Sequence, residues 1–181
     1  MMRIPDRGRL DAPSRLQPAV LALGSNLGDR GELLRDAVGA LRSTPGVEVR
    51  AVSPVVESVA VKPAGVDPSA PRYLNAVVLV DTLLDPHELL AEAHRIEAEH
   101  GRVRAERWGD RTLDIDIVDF DGEVLADPAL TLPHPRAAER AFVLAPWLAV
   151  DEEAVLPGAG RVDALLAALG DDTVPAEGVS L

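Results

Sequence analysis

The chain has 181 residues, of which 47% are hydrophobic and 27% are charged, and its formal net charge is −12 at pH 7. These proportions are ordinary for one globular domain with a core, whereas the acidic balance excludes general nucleic-acid binding, which needs positive charge. The chain has no cysteine, which excludes a disulfide framework and thiol chemistry and fits a reducing cytoplasm. No apolar run is long enough to span a membrane, so no membrane partner is expected. The cysteine content and the charge favour a cytoplasmic protein without a nucleic-acid partner, and we expect it to be a monomer.

The sequence divides into a central domain and two flanking segments. Residues 1–17 combine proline, arginine and aspartate without hydrophobic periodicity, which predicts a disordered arm. Residues 18–170 carry the periodic segments and predict a single domain. Residues 171–181 are polar and carry no motif, which predicts a flexible tail.

The first part of the domain predicts a strand, a helix and a second strand. Ala19–Leu23 is typical of a short buried strand, and Asp29 followed by Glu32 is typical of a helix N-terminus. Val47–Glu57 predicts the next strand, with Pro54 indicating an edge or a bulge. The proline-rich loop 58–72 follows, and a loop of this length in a compact domain is usually functional or disordered.

Tyr73–Asp81 predicts a strand whose start presents two side chains of interest. Tyr73 and Asn75 fall on the same face because side chains alternate along a strand. An aromatic ring beside an amide can bind a heterocycle, which would stack on the ring and hydrogen-bond to the amide. The alternative interpretation is an edge tyrosine next to a structural asparagine.

The remaining elements complete a fold prediction. Asp85 to Glu88 has the pattern of a capping box, which predicts a helix that ends at Gly101. Further helices are predicted over Arg136–Val143 and Val162–Leu169. The order strand, helix, strand, strand, helix, strand predicts a ferredoxin-like α+β fold, with an antiparallel sheet, helices packed on one face and C-terminal additions.

The segment Gly101–Phe120 contains the residues that are best suited to bind a metal ion and phosphate. Leu113, Ile115 and Ile117 alternate with polar residues, which predicts a half-buried strand with Asp114 and Asp116 on one face, about 7 Å apart. Two carboxylates at that separation can hold one or two Mg²⁺ ions, which prefer oxygen ligands and complete their shells with water and phosphate. Two solvated acids on a surface strand are the alternative.

An arginine-rich stretch directly before this strand favours phosphate chemistry. Its cationic and aromatic residues are Arg102, Arg104, Arg107, Trp108 and Arg111. Arginine binds phosphate through paired hydrogen bonds. In an otherwise acidic chain, such a cluster next to two aspartates predicts a site for a metal-bound phosphate ligand.

Six short motifs occur along the domain: A-L-G-S-N-L-G-D at 22–29, Y-L-N-A at 73–76, R-I-E at 95–97, G-R-V-R at 101–104, R-W-G-D-R-T-L-D-I-D-I at 107–117 and L-T-L-P-H-P-R at 130–136. Together these motifs resemble those of the 6-hydroxymethyl-7,8-dihydropterin pyrophosphokinases of folate biosynthesis. They follow the family order over roughly residues 19 to 160. The joined arginine, tryptophan and D-x-D segment is the most specific of them.

The resemblance implies an ATP-dependent pyrophosphokinase that acts on a reduced pterin. It implies catalytic roles for Arg102, Arg111, Asp114 and Asp116, with the two aspartates holding two Mg²⁺ ions. It also implies that Tyr73, Asn75, Trp108 and Phe142 bind the substrate, with Tyr73 and Phe142 on either side of the pterin and Trp108 on a loop that covers the site. ATP contacts are implied for Glu97, Arg104, Ile117, Thr131, His134 and Arg140.

Two other functions compete with this interpretation. A different D-x-D transferase would use the same metal but would not need Tyr73 and Asn75 in its acceptor pocket. A nucleotide-binding relative without activity would not need an intact set of catalytic residues, which here comprises Asp114, Asp116, Arg102 and Arg111.

Overall fold

A computed structural model of the chain describes residues 15–62, 65–67, 71–101 and 112–181. In chain order its elements are β1 (Gln17–Ser25), α1 (Arg30–Ser43), β2 (Val47–Val52), β3 (Val56–Ser58), β4 (Ala60–Lys62), β5 (Gly65–Asp67), β6 (Tyr73–Thr82), α2 (Pro86–Glu99), β7 (Asp114–Phe120), β8 (Leu125–Ala126), β9 (Thr131–Leu132), α3 (Ala141–Val150), β10 (Val155–Leu156), β11 (Gly160–Arg161), α4 (Val162–Leu169) and β12 (Val174–Pro175). A 3₁₀ turn, Ala137–Glu139, precedes α3.

The main sheet confirms the predicted ferredoxin-like order. Its strands lie in the order β12-β3-β6-β1-β7, and β2 also pairs with β6. All of these pairings are antiparallel. β6 therefore lies between β1 and the strands that follow α1, as in a split βαβ unit.

The two faces of the sheet carry separate cores. Residues of α1 and α2, such as Leu34 and Leu89, pack with Leu21 and Ile115 on one face. On the opposite face, residues of α3 and α4 pack against Val77 and Val118 of the sheet. The helices predicted on one face are therefore confirmed, and the C-terminal additions cover the other face, which the sequence left unassigned.

The second predicted strand is divided at Pro54 because proline has no N–H to donate. Just before it, Ser53 bridges the gap: its backbone N–H donates to Val77 O at 2.9 Å, and its hydroxyl accepts from Val77 N at 2.8 Å. β2 thus pairs with the end of β6 and β3 with its start. The start of β6, which carries Tyr73 and Asn75, is therefore flanked by β3, whereas β2 flanks the other end of the same strand.

Helix starts follow the sequence closely. Asp29 accepts a hydrogen bond from Glu32 N at the start of α1, and Asp85 and Glu88 form the reciprocal capping box of α2. The predicted helix over Arg136–Val143 is wrong in its bounds. A 3₁₀ turn occupies its start and α3 continues to Val150, since Val143, Leu144 and Trp147 extend its buried surface.

Residues 171–181, predicted to be a flexible tail, contact the domain in the structure. β12 pairs with β3, and Ala176, Val179 and Leu181 pack against the first core. At the other terminus, residues 1–14 lie outside the described residues, while Arg15 forms an ion pair with Asp121 and β1 begins at Gln17.

Candidate active site

Three neighbouring strands bring the predicted site residues together. In the sheet register, Gly24 of β1 lies opposite Asn75 of β6 on one side and opposite Asp114 of β7 on the other. Ala22, two residues earlier, lies opposite Asp116. Gly24 and Ala22 are small, so β1 forms a shallow depression between the side chains of β6 and those of β7.

The alternation predicted for β7 is confirmed. Leu113, Ile115 and Ile117 are buried, while Asp114 and Asp116 are half-buried on the opposite face. Glu97 of α2, itself buried, accepts a hydrogen bond at 2.9 Å from the backbone N–H of Ile115. This bond fixes the strand to α2 at the residue between the two aspartates, so it helps to set the direction of both carboxylates.

Asp116 lies beside two side chains from the segment after β9. Its Oδ2 is 3.3 Å from Arg140 Nη1 and 3.8 Å from His134 Nε2. All three side chains are partly exposed, at 36% for Asp116, 21% for Arg140 and 19% for His134. A phosphate oxygen or a cation that arrives at Asp116 would therefore meet a guanidinium and an imidazole at once.

The protonation state of His134 follows from its contacts. Arg136 N donates to Nδ1 at 3.1 Å, so a neutral ring carries its proton on Nε2, the nitrogen that faces Asp116. Burial lowers the pKa of His134 below its ordinary value, and Arg140 lowers it further, whereas Asp116 and Asp114 oppose the shift. At neutral pH the side chain is therefore a neutral donor.

Arg140 also joins the charged cluster to Phe142. The guanidinium carbon lies 5.7 Å from the centre of the Phe142 ring, within the range of a cation–π contact. Phe142 is half-buried in the first turn of α3. Its ring therefore borders the same cluster as Asp116.

On the other side of Gly24, Asn75 is buried and its amide is held in place. Asn75 Nδ2 donates to Ser58 Oγ at 2.9 Å, and both residues are at most 5% exposed. A Cβ atom on Gly24 would lie 3.3 Å from Asn75 Oδ1 and 3.9 Å from Tyr73 Cδ1. The absence of a side chain at Gly24 thus leaves the space beside the amide oxygen and the tyrosine ring open.

A cavity of about 290 Å³ is lined by most of the residues predicted to contact ATP. Its lining includes Glu97, Asp114, Asp116, Ile117, Thr131 and His134. Tyr73, Asn75, Arg140 and Phe142 are outside this lining. The site therefore has two parts, with the cavity on the β7 side and the Tyr73–Asn75 pair on the β6 side of Gly24.

Four residues of the predicted site lie outside the described residues: Arg102, Arg104, Trp108 and Arg111. Conversely, the structure adds residues that sequence reasoning missed. Ser58 holds Asn75, Gly24 separates the two parts, and Leu90 lines the cavity. Only Gly24 had a sequence signal, as part of the motif A-L-G-S-N-L-G-D at 22–29.

The donors at Asp114 and Asp116 fit Mg²⁺. Among the described residues, no group of three or more His, Cys, Asp or Glu side chains is arranged to hold a metal ion. Two carboxylates are nevertheless sufficient for Mg²⁺, which commonly takes one or two protein carboxylates and completes its shell with water and substrate phosphates. No helix in the described part of the chain has the length and apolar character needed to cross a membrane.

Comparison with known proteins agrees with this geometry. A sequence model of the 7,8-dihydro-6-hydroxymethylpterin-pyrophosphokinase (HPPK) family matches residues 20–152. The chain is 46% identical over 176 residues to the 2-amino-4-hydroxy-6-hydroxymethyldihydropteridine pyrophosphokinase of Mycobacterium leprae, covering 90% of this chain and 87% of the relative. It is 43% identical over 140 residues to the Methylorubrum extorquens enzyme of the same name, covering 77% and 86%.

Among solved structures, the fold resembles that of wild-type Plasmodium falciparum HPPK-DHPS with pteroate. The TM-score is 0.66 at 14% sequence identity, and the match covers 85% of this chain and 44% of that one. At this identity the likeness concerns the fold alone, and the chain spans less than half of the Plasmodium protein. The family match and the bacterial relatives show that the chain belongs to the 7,8-dihydro-6-hydroxymethylpterin-pyrophosphokinase family, the pyrophosphokinases of folate biosynthesis.

Proposed function

We propose that Asp114 and Asp116 are the centre at which this pyrophosphokinase transfers the pyrophosphoryl group of ATP to the hydroxymethyl group of 6-hydroxymethyl-7,8-dihydropterin, with AMP as the second product. The observation that carries this proposal is the register of three strands. One glycine, Gly24, separates the carboxylate of Asp114 from the buried amide of Asn75. A phosphate donor and a flat acceptor can therefore bind side by side.

The pterin is assigned to the β6 side of the site. The open space above Gly24 is bordered by the Tyr73 ring and by Asn75 Oδ1, which can accept a hydrogen bond from a ring N–H. Phe142 is assigned to the opposite side of the pterin ring, so that the bicycle stacks between two aromatic residues. The hydroxymethyl group would then point over Gly24 towards Asp114.

ATP is assigned to the cavity on the β7 side. Thr131, Ile117 and Glu97 line this cavity together with His134, and Arg140 lies beside it at Asp116. His134 can donate from Nε2 and Arg140 from its guanidinium, which suits phosphate oxygens. Arg102, Arg104, Arg111 and Trp108 complete the proposal from the segment outside the described residues, as phosphate ligands and as a cover.

Asp114 and Asp116 would hold Mg²⁺, with two ions as the expected number. Bound there with ATP, Mg²⁺ would neutralise charge on the phosphates and polarise the transferred group. The residues of the chain have three tasks around it. The aspartates fix the position of the triphosphate, the arginines and His134 share its negative charge, and the aromatic residues orient the acceptor and exclude water.

The transfer is a nucleophilic displacement at the β-phosphorus of ATP. The hydroxymethyl oxygen forms a bond to the β-phosphorus of ATP, and the bond from that phosphorus to the oxygen bridging the α-phosphate breaks. AMP leaves with the bridging oxygen, and the hydroxyl proton is released. The products are the pterin diphosphate and AMP.

One experiment separates this proposal from its alternatives. The protein is mixed with Mg²⁺, 6-hydroxymethyl-7,8-dihydropterin and ATP labelled at the β-phosphate, and the products are separated. We expect AMP and a pterin that carries the label, and no transfer to the 6-methyl analogue, which lacks the hydroxyl. ADP as the product, or label transferred equally well without the hydroxymethylpterin, would favour another transferase. Nucleotide binding without any transfer would favour an inactive relative.

We also propose a cytoplasmic, monomeric enzyme. The chain has no cysteine, which suits a reducing compartment. Both substrates can be bound by residues of one chain, since the two parts of the site lie on neighbouring strands of one sheet. Size-exclusion chromatography with light scattering tests the monomer directly.

A further inference from the structure

The C-terminal segment, residues 171–181, lies beyond the region that the family model matches, which ends at residue 152. It is nonetheless joined to the domain at several points. Val174 and Pro175 pair with Glu57 and Val56 of β3, and Ala176 N donates to Val55 O at 2.9 Å. The segment therefore forms the outer edge of the main sheet next to β3.

The end of the segment is fixed to α1. Val179 and Leu181 pack against the first core, and Arg35 Nε donates to Ser180 O at 3.2 Å. Val179 also approaches Gly31 closely, because a Cβ atom there would lie 3.4 Å from Val179 Cγ1. The C-terminal segment is thus held at two places, by the pairing of β12 with β3 and by the contacts of its last residues with α1.

β3 is the strand that connects this segment to the acceptor side of the site. It has three residues, and its inner edge pairs with β6 so that Val56 lies opposite Asn75 and Ser58 opposite Tyr73. An isolated short edge strand is held weakly. β12 converts β3 from an edge strand into an inner strand, paired on both sides.

Ser58 at the end of β3 holds the Asn75 amide through a hydrogen bond. Its Oγ accepts from Asn75 Nδ2 at 2.9 Å, which directs Oδ1 towards the open space at Gly24, where a Cβ would lie 3.3 Å away. An asparagine without this partner could rotate its amide and present a donor in place of an acceptor. The position of Ser58 is therefore a determinant of what the site can recognise.

We infer that residues 171–181 are a positioning element of the acceptor pocket: by bracing β3, they hold Ser58 where its hydroxyl fixes the Asn75 amide with its oxygen towards the ligand. This inference rests on the proposed assignment of Asn75 to the pterin. It predicts that the C-terminal segment contributes to recognition of the acceptor and not to recognition of ATP.

The test compares the full chain with a chain that ends at Gly170, each with and without Ser58→Ala. Dissociation constants for the reduced pterin, measured with an ATP analogue and Mg²⁺ present, and for ATP are obtained by calorimetry. We expect the truncation to weaken pterin binding about fivefold to tenfold, the value of one hydrogen bond, and to leave ATP binding unchanged. In the Ser58→Ala chain the same truncation should change pterin binding by less than about twofold, because both changes remove the same constraint.

Ala176→Pro tests the same contact without shortening the chain, since it removes the N–H that donates to Val55 O. It should weaken pterin binding in the same direction, whereas Asp172→Pro, at an exposed residue before β12, should not. Equal losses for ATP and pterin, or a truncation effect that persists fully in the Ser58→Ala chain, would overturn the inference. So would pterin binding that does not respond to the truncation. If the full chain binds ATP but no pterin, the proposed function fails first and the inference falls with it.

Discussion

At the scale of single residues, Asn75 is the polar group through which we expect the acceptor to be recognised. It is 5% exposed, so its amide can satisfy a ligand only at the open space above Gly24. Asn75→Ala should weaken pterin binding by about 2–3 kcal/mol, because ring polar groups buried in the complex would lose their partner. ATP binding should barely change.

Calorimetry with each ligand separately checks this prediction. Asn75→Asp is the informative companion, since it keeps the size and one oxygen but adds a charge. Losses of equal size for ATP and pterin in Asn75→Ala would show that the residue supports the fold and does not recognise the acceptor.

Asp119 provides a pH-dependent prediction away from the site. Burial raises the pKa of Asp119 above its ordinary value and outweighs the backbone hydrogen bonds from Gly122 and Phe120. Its Oδ1 is buried without a hydrogen-bond partner in the described part of the chain. The folded state therefore favours the protonated acid, so ionisation of Asp119 lowers the free energy of unfolding as the pH rises through the raised pKa.

Asp119→Asn removes this titration. The free energy of unfolding of the variant, relative to the parent, should increase as the pH is raised from acid towards neutral and stay constant above that window. Urea denaturation at several pH values measures it, with Glu123→Gln, at a nearby exposed acid, as the control. A difference between variant and parent that does not vary with pH would contradict the assignment.

At the scale of elements, α2 positions β7 as well as covering the sheet. Its N-terminus is closed by the capping box of Asp85 and Glu88, and its last turn supplies Glu97, which accepts from Ile115 N. Asp85→Ala should lower the free energy of unfolding by about 1 kcal/mol, the usual value of such a cap. Asp85→Ser, which retains a capping oxygen, should lose much less.

Chemical denaturation distinguishes these two variants. Since the cap lies at the opposite end of α2 from Glu97, turnover under stabilising conditions should stay close to that of the parent for both. An alanine variant as stable as the serine variant would show that the capping bonds contribute nothing measurable.

At the scale of the whole molecule, the features that depend on neighbouring residues could be predicted from the sequence. The features that depend on contacts between distant residues could not. The alternation from Leu113 to Ile117 and the caps at Asp29 and Asp85 depend on neighbours in the sequence, and the structure confirms them. The bond between Asn75 and Ser58 spans 17 residues and begins in a proline-rich stretch without periodicity. Such a contact becomes visible only when strands are paired.

The C-terminal segment shows the same limit. β12 has two residues, too few for a period-two pattern, and Val179 packs where Gly31 leaves room on a distant helix. Nothing in the local sequence distinguishes this segment from a polar tail. Likewise, α3 and α4 pack on the sheet face that carries apolar residues such as Val77 and Val118. Which face this is becomes clear only when the strands are paired.

We propose that Asp114 and Asp116 together form the metal and phosphate centre. Asparagine at either position keeps the shape and one oxygen but loses the charge that holds Mg²⁺. The most direct measurement is therefore turnover as a function of Mg²⁺ concentration for Asp114→Asn, Asp116→Asn and the double variant, with Asp121→Asn as a matched control and circular dichroism to verify the fold.

We expect each single variant to lose about 100-fold or more in turnover at limiting Mg²⁺, with partial recovery as Mg²⁺ is raised. The double variant should be little worse than the worse single one, because both residues act on the same centre, and Asp121→Asn should retain its activity. A folded Asp114→Asn or Asp116→Asn protein with near-normal turnover at limiting Mg²⁺ would mean that the two aspartates are only a solvated face of β7 and do not form a metal centre.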